Sequence, residues 1–203
     1  MAGSLHTPHP HHHRGSAEPP GPEDLYASSQ PAFLALAEAG AIEGRVLDAG
    51  CGTGEHVLMC ASLGLDATGV DLATRALRAA EEKARERGRT ARFLQWDALK
   101  LADLRESFDT VLDCGLFHIF DGVDRAAYVN GLRAVIGPGG RYFMLCFSDR
   151  QPGEWGRMHK LGRDEIEGSF TEGWHIDCVE PGTIDITTDP DGIRAWFVAL
   201  TRV

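Results

Sequence analysis

Apolar and polar positions fall into blocks along this chain, and the period changes from block to block. A regular pattern begins near Tyr26. Pro31 suits a helix first turn, and Phe33, Leu34, Ala37 and Ile42 recur at helical spacing up to Gly44. Arg45-Val-Leu-Asp48 reads as a short buried strand. The pattern predicts a helix over 55–63 closed by Gly64, a strand over 66–70, and a helix over 73–87 ending at Gly88, with Leu77, Ala80 and Ala84 as a thin apolar stripe. Strands follow at 91–96 and 108–113. A helix over 123–136 turns Tyr128, Leu132 and Val135 inward, Gly137-Pro-Gly-Gly140 forces a turn, and 141–147 is a strong strand. Strands that alternate with helices at this pace imply right-handed crossovers and a parallel sheet.

The two ends differ from that middle. Residues 164–171 look helical. Trp174 to Thr187 and Ile193 to Arg202 then read as two strands joined by Thr188-Asp-Pro-Asp-Gly192, and so short a loop joins antiparallel neighbours. Trp174 and Trp196 read as packing residues. Residues 1–24 hold five of the ten prolines and five of the nine histidines. Little there can be buried, so they read as a disordered, solvated tail ahead of one domain over 25–203. The run His11-His12-His13 has some metal affinity in principle, but a solvated tail is the plainer reading.

Length and composition narrow the class. At 203 residues, with 43% hydrophobic and 25% charged, the chain suits a single globular domain. It has no run of 18 apolar residues, so no membrane span is expected. The polar start lacks a signal-peptide core, and a cytoplasmic location is expected. The five cysteines (51, 60, 114, 146 and 178) are odd in number and contain no C-x-x-C, which fits neither a disulfide framework nor a metal cluster. A net charge of −10 makes a poor general binder of nucleic acid. Monomer and homodimer remain equally open.

The densest chemical signal is Val46-Leu-Asp-Ala-Gly-Cys-Gly-Thr-Gly54, straight after a strand and before a helix. Glycines at 50, 52 and 54 let the backbone turn sharply and approach a ligand, and the amides at the helix start favour an anionic group. In a dinucleotide fingerprint the third glycine falls three residues after the second. Here it falls two after, and Glu55 follows. That spacing weighs against an NAD-dependent oxidoreductase, which stays as the alternative together with a non-catalytic cofactor-binding module. Asp71 ends the next strand, 21 residues beyond Gly50. A carboxylate there can accept both ribose hydroxyls and repels a 2′-phosphate; it can also cap the following helix.

Asp48-x-Gly-x-Gly-x-Gly54, Asp71 and Trp96-Asp97-Ala98 after the third strand together resemble a class I S-adenosylmethionine-dependent methyltransferase. The resemblance spans about residues 30–203, terminal hairpin included. It implies a single Rossmann-like α/β domain with a mainly parallel seven-stranded sheet of order 3-2-1-4-5-7-6, its seventh strand antiparallel. S-adenosyl-L-methionine is the implied cofactor and S-adenosyl-L-homocysteine the product. Carried over residue by residue, Gly50, Cys51, Gly52 and Gly54 form the loop under the methionine part. Asp48 braces that loop near the ammonium, Asp71 takes the ribose, and Asp97 and Ala98 the adenine edge. Leu72 packs on the adenine face or in the core.

The fourth strand ends in Asp113-Cys-Gly-Leu-Phe-His-Ile-Phe120. The family places this segment beside the methyl group, with a backbone carbonyl near Cys114. The tetrapeptide of nucleic-acid amino-methylating enzymes is missing, which points to the small-molecule branch and an aromatic or heterocyclic acceptor methylated at O, N or S. Transfer from an activated sulfonium depends mostly on positioning, although a hydroxyl acceptor also has to lose a proton. His118 is the candidate base, or else a pocket-lining histidine. Residues 148–162, with Trp155, Met158 and His159 beside Arg150, Arg157 and Lys160, form a lid or an exposed connector. The candidate acceptor pocket is therefore Tyr26, Phe117, Trp155, Met158 and His159.

Overall fold

The computed structural model describes residues 28–156 and 158–203, so the expectations placed on residues 1–24 and on Tyr26 lie outside the described residues. Twelve regular elements follow one another: α1 (Pro31–Glu38), β1 (Arg45–Ala49), α2 (Glu55–Ser62), β2 (Asp66–Asp71), α3 (Thr74–Glu86), β3 (Arg92–Gln95), β4 (Phe108–Cys114), α4 (Gly122–Val135), β5 (Ile136–Phe147), α5 (Arg163–Ser169), β6 (Trp174–Ile186) and β7 (Asp189–Arg202). The seven strands make one sheet of order β3-β2-β1-β4-β5-β7-β6. β3, β2, β1, β4 and β5 run parallel, and β7 runs antiparallel to both β5 and β6. This is the expected order, with the expected antiparallel end.

The strand period explains the layering. Along β5, Tyr142 and Met144 bury into one apolar layer with Tyr128, Leu132 and Phe170, while Phe143, Leu145 and Phe147 bury into the other with Phe33, Leu112 and Val57. Both faces are covered, as crossover helices require. Each fully buried side chain of this size contributes about 1.5–3 kcal/mol.

Four local expectations change. α1 stops at Glu38 instead of running to Ile42, because Gly40 at φ 73 lets Gly40 N–H reach the Ala37 carbonyl and Ala41 N–H the Leu36 carbonyl. Ile42 is still buried, beyond the helix. Residues 98–104 form two short 3-10 turns that the pattern did not predict. Gly137–Gly140 does not separate helix from strand: β5 begins at Ile136, opposite Phe108, and resumes regular pairing at Arg141 opposite Thr110. The hairpin turn is Thr187-Thr188, not residues 188–192, since Ile186 pairs with Asp189 and the two extra residues of β7 are taken up before Ile193.

Where the chain leaves β1 it is bordered by β2 on one side and β4 on the other. Strand order reverses there, and ligands of open α/β sheets bind outside such carboxyl ends.

Candidate active site

The loop after β1 is held from both sides. Cys51 N–H donates to the Val70 carbonyl at 2.9 Å, and Gly52 N–H donates to Asp71 Oδ2 at 2.9 Å. The other Asp71 oxygen accepts Ala73 N–H at 2.8 Å, just before α3. One carboxylate at the tip of β2 thus fixes the glycine loop and the turn into α3 together. Gly54, at φ 85, opens α2; a Cβ there would stand 2.8 Å from Ala80 Cβ and 2.9 Å from Phe93 Cε1. The missing side chain lets α2, α3 and β3 converge behind the loop.

A cavity of about 330 Å³ opens over this loop. Of the expected cofactor residues, Asp48, Gly50, Cys51, Gly52, Asp71 and Cys114 line it. Leu72, Asp97 and Ala98 do not: Leu72 is exposed beside Asp71, Asp97 Oδ1 accepts Leu99 N–H at 2.9 Å, and Ala98 is buried. Gly54 lies behind the loop. Of the expected acceptor residues that the structure describes, only Met158 lines the cavity, together with Leu116 and Ile119.

Four expected site residues stand away from the cavity. Phe117 is core, 0% exposed and stacked on Phe170 with ring centroids 5.4 Å apart. The 3-10 turn at Phe117–Ile119 directs that ring inward and leaves Leu116 and Ile119 at the cavity. His118 is 0% exposed and lines no part of the cavity; its Nδ1 accepts Phe147 N–H at 3.0 Å. Burial, with His159 nearby, depresses its pKa to about 3. A buried imidazole tied to β5 is not placed to take an acceptor proton. Trp155 and His159 also stand off the cavity, with Trp155 edge-on to Phe147 at 5.4 Å and His159 Nε2 3.6 Å from Asp121.

Pattern reading missed His56, which lines the cavity. Its Nε2 accepts the Gln30 N–H at 2.9 Å, so Nδ1 carries the proton, and Nδ1 stands 4.0 Å from Asp48 Oδ2. Burial lowers the His56 pKa to about 4, keeping the ring neutral. Gln30 is itself 1% exposed and clamps the hairpin: its amide nitrogen donates to the Asp185 carbonyl at 3.0 Å, and its oxygen accepts Asp185 N–H at 2.8 Å. Nothing in the local pattern around Gln30 or His56 marks these contacts.

The site is acidic. Burial, with Asp113 and Asp71 nearby, pushes the Asp48 carboxyl well above its usual range. Among the described residues its oxygens accept no hydrogen bond, and no Lys or Arg lines the cavity. A cationic ligand group would relieve that burial cost, so the chemistry here fits the ammonium of an amino-acid-like cofactor. Burial also works to raise Glu55, but ion pairs with Lys83 at 2.7 Å and Arg87 at 3.2 Å outweigh it and hold that carboxyl low. Burial raises the Cys51 and Cys114 thiols, so neither is a nucleophile at neutral pH.

A Rossmann-like sheet with a glycine loop after β1 and an acid at the tip of β2 defines a nucleoside-cofactor enzyme. A family profile described as a methyltransferase domain matches residues 46–140. The 2-heptyl-1-hydroxyquinolin-4(1H)-one methyltransferase of Mycobacteroides abscessus is 31% identical, over 76% of this chain and 69% of that protein. A solved structure from work on the conversion of a disulfide bond into a thioacetal group during echinomycin biosynthesis is 35% identical, with TM-score 0.80 over 90% of this chain and 84% of that one. Magnesium protoporphyrin IX methyltransferase from Synechocystis PCC 6803, solved with S-adenosylmethionine bound, shares the fold at 21% identity and TM-score 0.66, over 85% of this chain and 76% of that one. The chain belongs to the class I S-adenosylmethionine-dependent methyltransferases, and S-adenosylmethionine is its cofactor. The NAD-dependent alternative finds no support. Among the described residues no helix is long and apolar enough to cross a membrane.

Proposed function

We propose that this enzyme methylates a small aromatic or heterocyclic acceptor at O, N or S. One observation carries the reading: beside the carboxylate-lined floor, the cavity has an apolar wall of Leu116, Ile119 and Met158. That wall suits a flat, weakly polar molecule, and the absence of Lys and Arg from the described lining disfavours acceptors with phosphate or carboxylate groups. The activity of the Mycobacteroides abscessus relative, on a hydroxyquinolone, agrees with it.

The bound cofactor supplies an activated methyl group on a sulfonium. This chain's residues bind and align around it. Asp48 would hold the ammonium and Asp71 the ribose, and the loop of Gly50, Cys51 and Gly52 would carry the methionine part. Leu72, Asp97 and Ala98 lie outside the cavity lining and would be reached only by the adenine end of the cofactor, as the family resemblance implies. Leu116, Ile119 and Met158 hold the acceptor in line, and that alignment supplies most of the rate. With His118 buried, an acceptor already able to attack, such as a thiolate or ring nitrogen, needs no protein base.

Calorimetry should show binding of S-adenosylmethionine and none of NAD. Thiophenol, 1-hydroxyquinolin-4(1H)-one and 2-naphthol should then be tested for S-adenosylhomocysteine formation. Cofactor binding with turnover of none of these would overturn this acceptor class.

A further inference from the structure

Asp113, the penultimate residue of β4, is 0% exposed and lies outside the cavity. Four donors converge on it. Oδ2 accepts the Tyr142 hydroxyl at 2.6 Å, the Tyr128 hydroxyl at 2.7 Å and the Phe117 amide at 3.2 Å; Oδ1 accepts the Leu116 amide at 2.8 Å. The donors come from β5, from α4 and from the segment that follows β4. That segment is the cavity wall, through Cys114, Gly115, Leu116 and Ile119. The Leu116 side chain also lies against the glycine loop, since a Cβ at Gly50 would stand 3.2 Å from its Cδ1. The gap between the cofactor loop and the acceptor wall is therefore set by the carboxylate that holds the Leu116 amide.

We propose that Asp113 is a positioning residue for methyl transfer: by anchoring the Leu116 and Phe117 amides to Tyr128 and Tyr142, it fixes the acceptor wall against the Gly50 loop. The proposal rests on the small-molecule methyl-transfer reading. Held in the interior by four donors, the carboxylate gives the wall a single rigid position, and alignment on the scale of an ångström controls rate. Burial raises the Asp113 pKa, the two tyrosine hydroxyls and two amides oppose that, and the result is about 6. The other titratable groups facing it are Asp48 from β1, Cys114 on its own strand and Cys146 from β5. Tyr142 donates to Asp113 and not to Asp48, so removing its hydroxyl separates the two acids.

Hydrogen exchange tests the anchor without any acceptor. In wild type the Leu116 and Phe117 amides should lose protection below about pH 6. Tyr142→Phe should move that break to higher pH, and Asp113→Asn should leave the segment poorly protected at every pH while calorimetry still shows cofactor binding. On whichever of the three acceptors above the wild type turns over fastest, Asp113→Asn should lower kcat by about 10²-fold. The acid limb of the Tyr142→Phe rate profile should shift with its exchange break. Wild-type protection and kcat in Asp113→Asn would overturn the proposal. If that variant does not fold, an unshifted break in Tyr142→Phe would overturn it. A wild type inactive on all three acceptors would count against the acceptor class alone, with the exchange results still deciding the role of Asp113.

Discussion

At the scale of single residues, polar side chains in this site carry more than one contact. Asp71 was legible in the sequence as an acid at a strand tip, open to two roles. The structure gives a brace and not a helix cap: α3 takes Ala73 as its N-cap with no side-chain cap, and the two Asp71 oxygens accept the backbone amides of Gly52 and Ala73. Each oxygen keeps further acceptor capacity, and Asp71 lines the cavity. Asp71→Ala should weaken S-adenosylmethionine binding by about 1–3 kcal/mol, because charge-assisted bonds to ribose and the brace on the loop are lost together. Calorimetry on a folded variant with affinity within about twofold of wild type would remove Asp71 from the site. Phe117 and His118 show the opposite outcome. Their types suit a pocket as well as a core, and one tight turn decided for the core.

At the scale of elements, the active-site loop depends on helices brought close behind it. Gly54 permits that approach through its φ of 85 and its missing Cβ. Gly54→Ala should destabilise the fold by about 1–3 kcal/mol from backbone strain, with more from the contact with Ala80. Urea unfolding measures this, and an unchanged midpoint would mean that α2 and α3 can separate freely. The start of α1 is the other junction. Phe33 sits edge-on to His56 at 4.8 Å, and Gln30 ties His56 to the β6–β7 hairpin. Deleting residues 1–20 should leave the melting temperature unchanged, since that stretch has few residues able to pack. Deletion through Phe33 should weaken cofactor binding, because His56 loses both its amide partner and its ring partner. Normal affinity in the longer deletion would show that α1 does not support the site.

For the whole molecule, buried titratable groups set how stability follows pH. His56 is held neutral with a pKa of about 4, and His118 with one of about 3, both below the ordinary 6.5. As pH falls below 6.5, the unfolded chain takes up protons that the native state refuses, so these residues cost stability, at about 1.4 kcal/mol per pH unit for each proton. Asp113 and Asp48 have the opposite sign: their native carboxyls hold protons that the unfolded chain releases, which favours the native state on acidification. The two effects partly cancel in wild type, and a substitution isolates one of them. The destabilisation caused by His56→Gln should be smaller at pH 5 than at pH 7.5, by urea unfolding at both. An equal cost at both would mean that His56 titrates normally. The sequence by itself determined the parallel sheet with its antiparallel end, the glycine loop between β1 and α2, and the acids at the ends of β1 and β2, because hydrophobic period and glycine spacing are local properties of the chain. Only the tertiary structure decided which side chains face the cavity. Asp113 meets tyrosines 15 and 29 residues away, and Gln30 meets Asp185 across 155. Contacts at such separations arise when packed layers bring elements together, and no local pattern encodes them.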